Sequence, residues 1–169
     1  MPINTTTTPR RKLRFNTIAD VRADLDILES AHNRGSLIHL GNWPPGALFE
    51  HLALGIEGSF IGFGDFRVRW LLRIFAPWVK DRVLSTSLSP GNRLPEKSER
   101  MAWNENVTFE SGINRYREQL ARLESGKPGR ALPNPALIQR HPAFGTLTPP
   151  EWVLFHLRHA ELHLSFLKP

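Results

Sequence analysis

His156, His159 and His163 fall within eight residues of one another in EWVLFHLRHAELHLSFL, where the apolar residues keep helical spacing. At about 100° per residue the three lie within roughly 60° on one helical face. The same side carries Trp152, Phe155, Leu162 and Phe166, so the imidazoles are expected to point into the protein. His159 and His163 stand at i and i+4 and can reach a common point about one side-chain length from the helix. His51 lies on or beside the apolar stripe of a second amphipathic stretch, PPGALFEHLALGIEGSF. Helix bundles build metal sites from side chains on facing helices, and neutral imidazole is the commonest metal ligand. Unpaired imidazole nitrogens in an apolar stripe would cost free energy. His51, His159 and His163 are therefore the expected ligands of a divalent ion. His156 is a possible fourth, but three protein ligands with open positions are the usual catalytic arrangement, which places His156 behind them or in the pocket wall.

Three neutral imidazoles leave an ion its full charge and room for water, a thiol or an oxygen ligand. Water on zinc ionises near a pH of roughly 7 in a favourable site. Glu110 and Asn114, one turn apart on a third helical stretch, are candidates to orient a ligand or move a proton; a solvated helix face is the simpler reading of each. Gly55 lies one turn beyond His51 and Gly58 nearly two, which leaves the wall beside that histidine without side chains. Substrate space and close helix packing both account for this. The chain carries no nucleophile–base signature and no phosphate-binding glycine loop.

Four helices must position these residues. The first runs from about Thr17 to Asn33, with Thr17 and Asp20 at capping-box spacing, an apolar stripe of Ile18, Val21, Leu25 and Leu28, and Gly35 just past its end. Pro44 and Pro45 mark the start of the second. The third lies in NENVTFESGINRYREQLARLE, with Phe109, Ile113, Tyr116, Leu120 and Leu123 at three-four spacing and a stop at Ser125-Gly126. Thr148, Pro149, Pro150 and Glu151 open the fourth as cap, first helical turn and capping box. No strand run and no internal repeat stands out. The aromatic and basic segment DFRVRWLLRIFAPWVKDRVL is either a lid or a crossover whose Trp70, Ile74 and Trp78 join the core.

With 169 residues the chain fits one domain, expected over 16–169 behind a flexible basic arm at 1–15 that docks at Phe15. The absence of cysteine excludes disulfides, zinc ribbons, iron–sulfur clusters and a thiol nucleophile of the chain's own. Of the net charge of +6, Arg10, Arg11, Lys12 and Arg14 supply four in the first fifteen residues, leaving +2 for the rest. So small an excess on the body argues against nucleic-acid binding. No apolar run approaches the length of a membrane span, and RRKLRF is not followed by an apolar signal core, so a cytoplasmic location is expected.

GNW with EHLA at 41–43 and 50–53, HPAFGTLTPPEW at 141–152 and HLRHAELHLSF at 156–166 together resemble the DinB/YfiT-like superfamily of metalloenzymes, in particular a subfamily described only as a domain of unknown function. The resemblance spans nearly all of the chain beyond the arm. It implies an all-α, four-helix bundle of up-down-down-up topology, with a long crossover between the second and third helices that the 65–99 region fits. It also implies a divalent ion, nickel, zinc or iron, held by one histidine of the second helix and an HxxxH pair of the fourth, matching His51, His159 and His163. Where relatives often carry two adjacent histidines, this chain has Leu162 before His163. Relatives include transferases and isomerases that use low-molecular-weight thiols, and homodimers are common; the 70–78 segment is the expected dimer face. The leading expectation is a metal-dependent transferase or hydrolase acting on an unidentified small molecule. The alternative is a non-catalytic metal-binding or ligand-binding stress-response protein.

Overall fold

The computed structural model describes residues 3–63, 80–91, 104, 106–125 and 140–169. They are mostly helical and form a helical bundle: α1 (Ile18–Asn33), α2 (Pro45–Ile61), α3 (Phe109–Ser125) and α4 (Pro149–Leu164). Residues 62–108 link α2 to α3 and include a helical turn at 80–85. The 65–79 part of the aromatic segment, and with it the expected lid or dimer face, lies outside the described residues, as does 126–139.

The helix ends follow local chemistry. Thr17 accepts the Asp20 N–H, and Asp20 accepts the Thr17 N–H at 2.9 Å, closing a capping box on α1. After Asn33 the chain turns through Gly35 at φ 71°, a conformation that favours glycine, and the Gly35 N–H satisfies the His32 carbonyl. Thr148 and Glu151 form the same box on α4, with prolines in its first turn. Within the expected stretch, α3 begins at Phe109, the first residue of its apolar stripe. Asn104 holds a turn by accepting the Asn106 and Val107 N–H groups, and Thr108 Oγ1 takes the Ser111 N–H at 3.2 Å.

The core is built from one stripe of each helix: Val21, Leu25 and Leu28; Phe49, Leu52 and Ile56; Ile113, Tyr116 and Leu120; Leu157, Ala160 and Leu164. α2 packs most closely on α3, and glycines set the separation. A Cβ on Gly112 would stand 2.4 Å from the Gly46 carbonyl oxygen. On α4 the expected stripe holds in part, with Trp152 and Phe166 buried and Phe155 half-buried. Leu162 is only half-buried, whereas Arg158 and Glu161 are buried.

Among the described residues, four two-residue strands were invisible to periodicity, since two residues carry no alternation to read. β1 (Ile38–His39) pairs antiparallel with β4 (Leu167–Lys168), and β2 (Arg140–His141) with β3 (Gly145–Thr146). The first pair ties the loop before α2 to the end of α4. The second sets His141 against the start of α4.

The basic segment before Phe15 departs from the expected free arm. Arg11 makes a two-pronged pair with Asp24 at 2.6 and 2.8 Å, and Arg10 donates to Ser165 Oγ at 3.0 Å. Phe15 is buried, its N–H given to Glu161 and its carbonyl taken by Arg158. The arginines are drawn in because the buried acceptors Asp24 on α1 and Ser165 and the Leu164 carbonyl at the end of α4 bind charged donors strongly.

Candidate metal centre

α2 and α4 bring three imidazoles together. His51 Nε2 lies 3.1 Å from His159 Nε2, and the rings of His51, His159 and His163 stand 4.7–4.9 Å apart between centroids. One nitrogen of each falls within 4.8 Å of the other two, and all three side chains are half-buried. Two nitrogens sharing an ion at 2.0–2.1 Å would stand roughly 3.0–3.4 Å apart, so the His51–His159 spacing suits a common ion. The i, i+4 spacing and α2–α4 packing create this convergence.

Burial, and then the other imidazoles, hold His159 and His163 well below the ordinary histidine range. Both are neutral, the state in which a ring nitrogen has a lone pair to give. His159 Nδ1 is buried without a hydrogen-bond partner among the described residues. It faces Gly55, where a Cβ would come to 3.4 Å. Gly55 thus belongs to the wall of this site. An all-imidazole, uncharged donor set fits zinc, nickel, copper or iron better than magnesium or calcium.

The rings are backed by aromatic faces. Trp43 stacks on His163 at 5.3 Å between centroids, 12° from parallel, and meets His51 edge-on at 4.8 Å. Phe155 stacks on His159 at 5.7 Å. Sequence reasoning singled out neither as part of the site. The GNW string just before α2 was the available signal for Trp43.

Next to the three imidazoles, the first half of α4 meets the β2–β3 turn and the end of α2 in an aromatic cluster. His141 packs on Phe144 and Phe155, each at 4.6 Å, and Trp152 stacks on His156 at 5.5 Å and on Phe63 at 6.0 Å. His141 Nδ1 accepts the Ala143 and Phe144 N–H groups, both at 3.1 Å, so the neutral ring carries its proton on Nε2. His156 Nε2 and Trp152 Nε1 are buried and unpartnered among the described residues. Burial pushes His141 down to about 4; burial, then the charge of His141, pushes His156 down to about 3. Below the unfolded value of 6.5 the unfolded chain takes up protons that these folded rings refuse. Their contribution to stability is therefore complete above that pH and lost as pH falls toward 4. For His141 the loss reaches about 3 kcal/mol. Urea unfolding of metal-free protein between pH 7 and 4.5 should give a shallower pH slope for His141→Leu than for wild type.

The other expected site residues lie elsewhere. Glu110 is exposed at the α1–α3 surface, its Oε1 3.2 Å from His32 Nε2, while His32 stacks on Phe109. Asn114 is exposed on α3. Neither belongs to the histidine group. Among the described residues, no helix is long and apolar enough to cross a membrane.

Over residues 7–169 the chain matches the family model described as "Protein of unknown function (DUF1569)". No curated protein and no solved structure matches it.

Proposed function

The chain belongs to that family, and from its own geometry we propose that it is a divalent-metal protein with His51, His159 and His163 as ligands, working as a metal-dependent transferase or hydrolase. The observation that carries the proposal is the convergence of three half-buried imidazoles from two helices onto one point. The resemblance to the DinB/YfiT-like metalloenzymes supports it, and with it an up-down-down-up arrangement of the helices and zinc, nickel or iron as the ion.

A bound ion would act as a Lewis acid, polarising an oxygen or lowering the pKa of a thiol. The residues around it do the rest in this reading. Phe155 and Trp43 shield the imidazoles from bulk water. His156 Nε2 and Trp152 Nε1, buried without partners, are the polar groups that a bound small molecule would satisfy, and the neighbouring rings receive its apolar part. A low-molecular-weight thiol is the co-substrate class that the resemblance suggests.

Elemental analysis of untagged protein purified without chelator tests the metal. Near-stoichiometric divalent ion is expected in the wild type. In His159→Ala and His51→Ala it should fall at least tenfold, with the fold retained. A wild type that stays metal-free after exposure to nickel, zinc, iron and manganese overturns the proposal. Metal without turnover of any thiol or ester substrate would leave a non-catalytic binding protein.

A further inference from the structure

A set of contacts joins the loop that carries Trp43 to the basic N-terminal segment. The side-chain amide of Asn42 bonds the Ile3 backbone in both directions, accepting its N–H at 2.6 Å and donating to its carbonyl at 2.9 Å. Gly41 lies against the Phe166 ring, to which a Cβ would come within 3.5 Å, and the Leu40 N–H bonds the Phe166 carbonyl at 2.9 Å. Further along, the Arg10 guanidinium lies 5.7 Å from the centre of the same Phe166 ring. The Arg11 N–H and guanidinium donate, at 3.0 Å each, to the Ser165 and Leu164 carbonyls, which the end of α4 leaves without helical partners. The segment thus crosses the C-terminal end of α4, one residue beyond His163, and returns to the loop that carries Trp43.

We infer that residues 3–11 and the 41–43 loop form a strap that positions His51 and His163, with Trp43 as the positioning residue. The inference rests on the metal reading above. A ligand imidazole on a helix can turn about two side-chain bonds. The Trp43 face on His163 and its edge on His51 restrict both rings at once, and groups that orient ligands in this way typically change metal affinity by roughly 10–100-fold. The strap supplies what the loop lacks: by itself 41–43 is an irregular turn between two-residue β1 and an α2 whose cap residue, Pro44, makes no side-chain hydrogen bond.

Nickel affinity by competition titration, run alongside the thermal midpoint of the metal-free protein, tests this on full-length variants. Trp43→Leu and Asn42→Ala are expected to bind nickel at least tenfold more weakly while their metal-free midpoints stay within a few degrees of wild type. Trp43→Phe keeps a ring on His163 and should recover most of the affinity, yet lose much of the nickel-induced quenching of tryptophan fluorescence. Wild-type affinity in Trp43→Leu and Asn42→Ala refutes the strap alone. So does an affinity loss that merely follows a collapse of the metal-free midpoint. A wild type that binds no nickel or zinc refutes the metal reading, and the strap with it.

Discussion

Arg158→Ala is expected to lower the unfolding free energy by about 3–5 kcal/mol, the range for breaking a buried ion pair from one side. Arg158 and Glu161 are 1% and 2% exposed. Arg158 donates to the Glu161 carboxylate and to the Phe15 carbonyl, the latter at 2.7 Å. Glu161 accepts the Phe15 N–H at 2.7 Å and faces Ser87 Oγ at 3.4 Å. Without the guanidinium, a carboxylate stays in the interior with only Arg14, 3.8 Å away and half-exposed, to offset it. Urea unfolding of the metal-free protein measures the loss. The double variant Arg158→Met, Glu161→Leu removes both charges and should recover most of it. A single variant as stable as wild type would mean that the pair is hydrated and Phe15 is held by packing alone.

The second large effect belongs to the α2–α3 contact. A Cβ on Gly46 would stand 2.2 Å from the Val107 carbonyl oxygen and 2.5 Å from that of Thr108. Backbone cannot yield as a flexible side chain does, so Gly46→Ala must push the start of α3 away from α2. Overpacking of this kind costs about 3 kcal/mol. Gly35→Ala is the control: nothing lies within 4 Å of its Cβ, and only its φ of 71° opposes the change, for about 1 kcal/mol. Thermal or urea midpoints should therefore fall much further for Gly46→Ala than for Gly35→Ala. Equal losses would show that the helices are not in contact there.

These two sites also mark where the sequence could and could not be read. Helix starts at Ile18 and Pro149 follow from residues a few positions apart, Thr17 with Asp20 and Thr148 with Glu151, and local chemistry of that range is written in the chain. The meeting of His51, His159 and His163 was legible for a related reason: i, i+4 spacing puts two rings together, and an amphipathic stripe places the third on a facing helix. Arg158 and Glu161 were not legible. On a helix they look like a solvated pair three residues apart, and only Phe15, far away in sequence, makes their burial sustainable. The basic arm misled in the same way, because Arg11 finds Asp24 and the last carbonyls of α4 only once the bundle has formed. Glu110 was read by helical position alone; its partner, His32, comes from α1. Trp43 reaches the imidazoles through a two-residue strand pair that carries no periodic signal.

We propose that His51, His159 and His163 together hold one divalent ion. X-ray absorption at the edge of the ion found in, or loaded into, the untagged protein tests it most directly. Imidazole scattering from three nitrogen ligands at about 2.0–2.1 Å is expected, falling to two in His159→Ala if that variant is forced to load. A spectrum with oxygen neighbours alone, or one unchanged by the loss of His159, would contradict it.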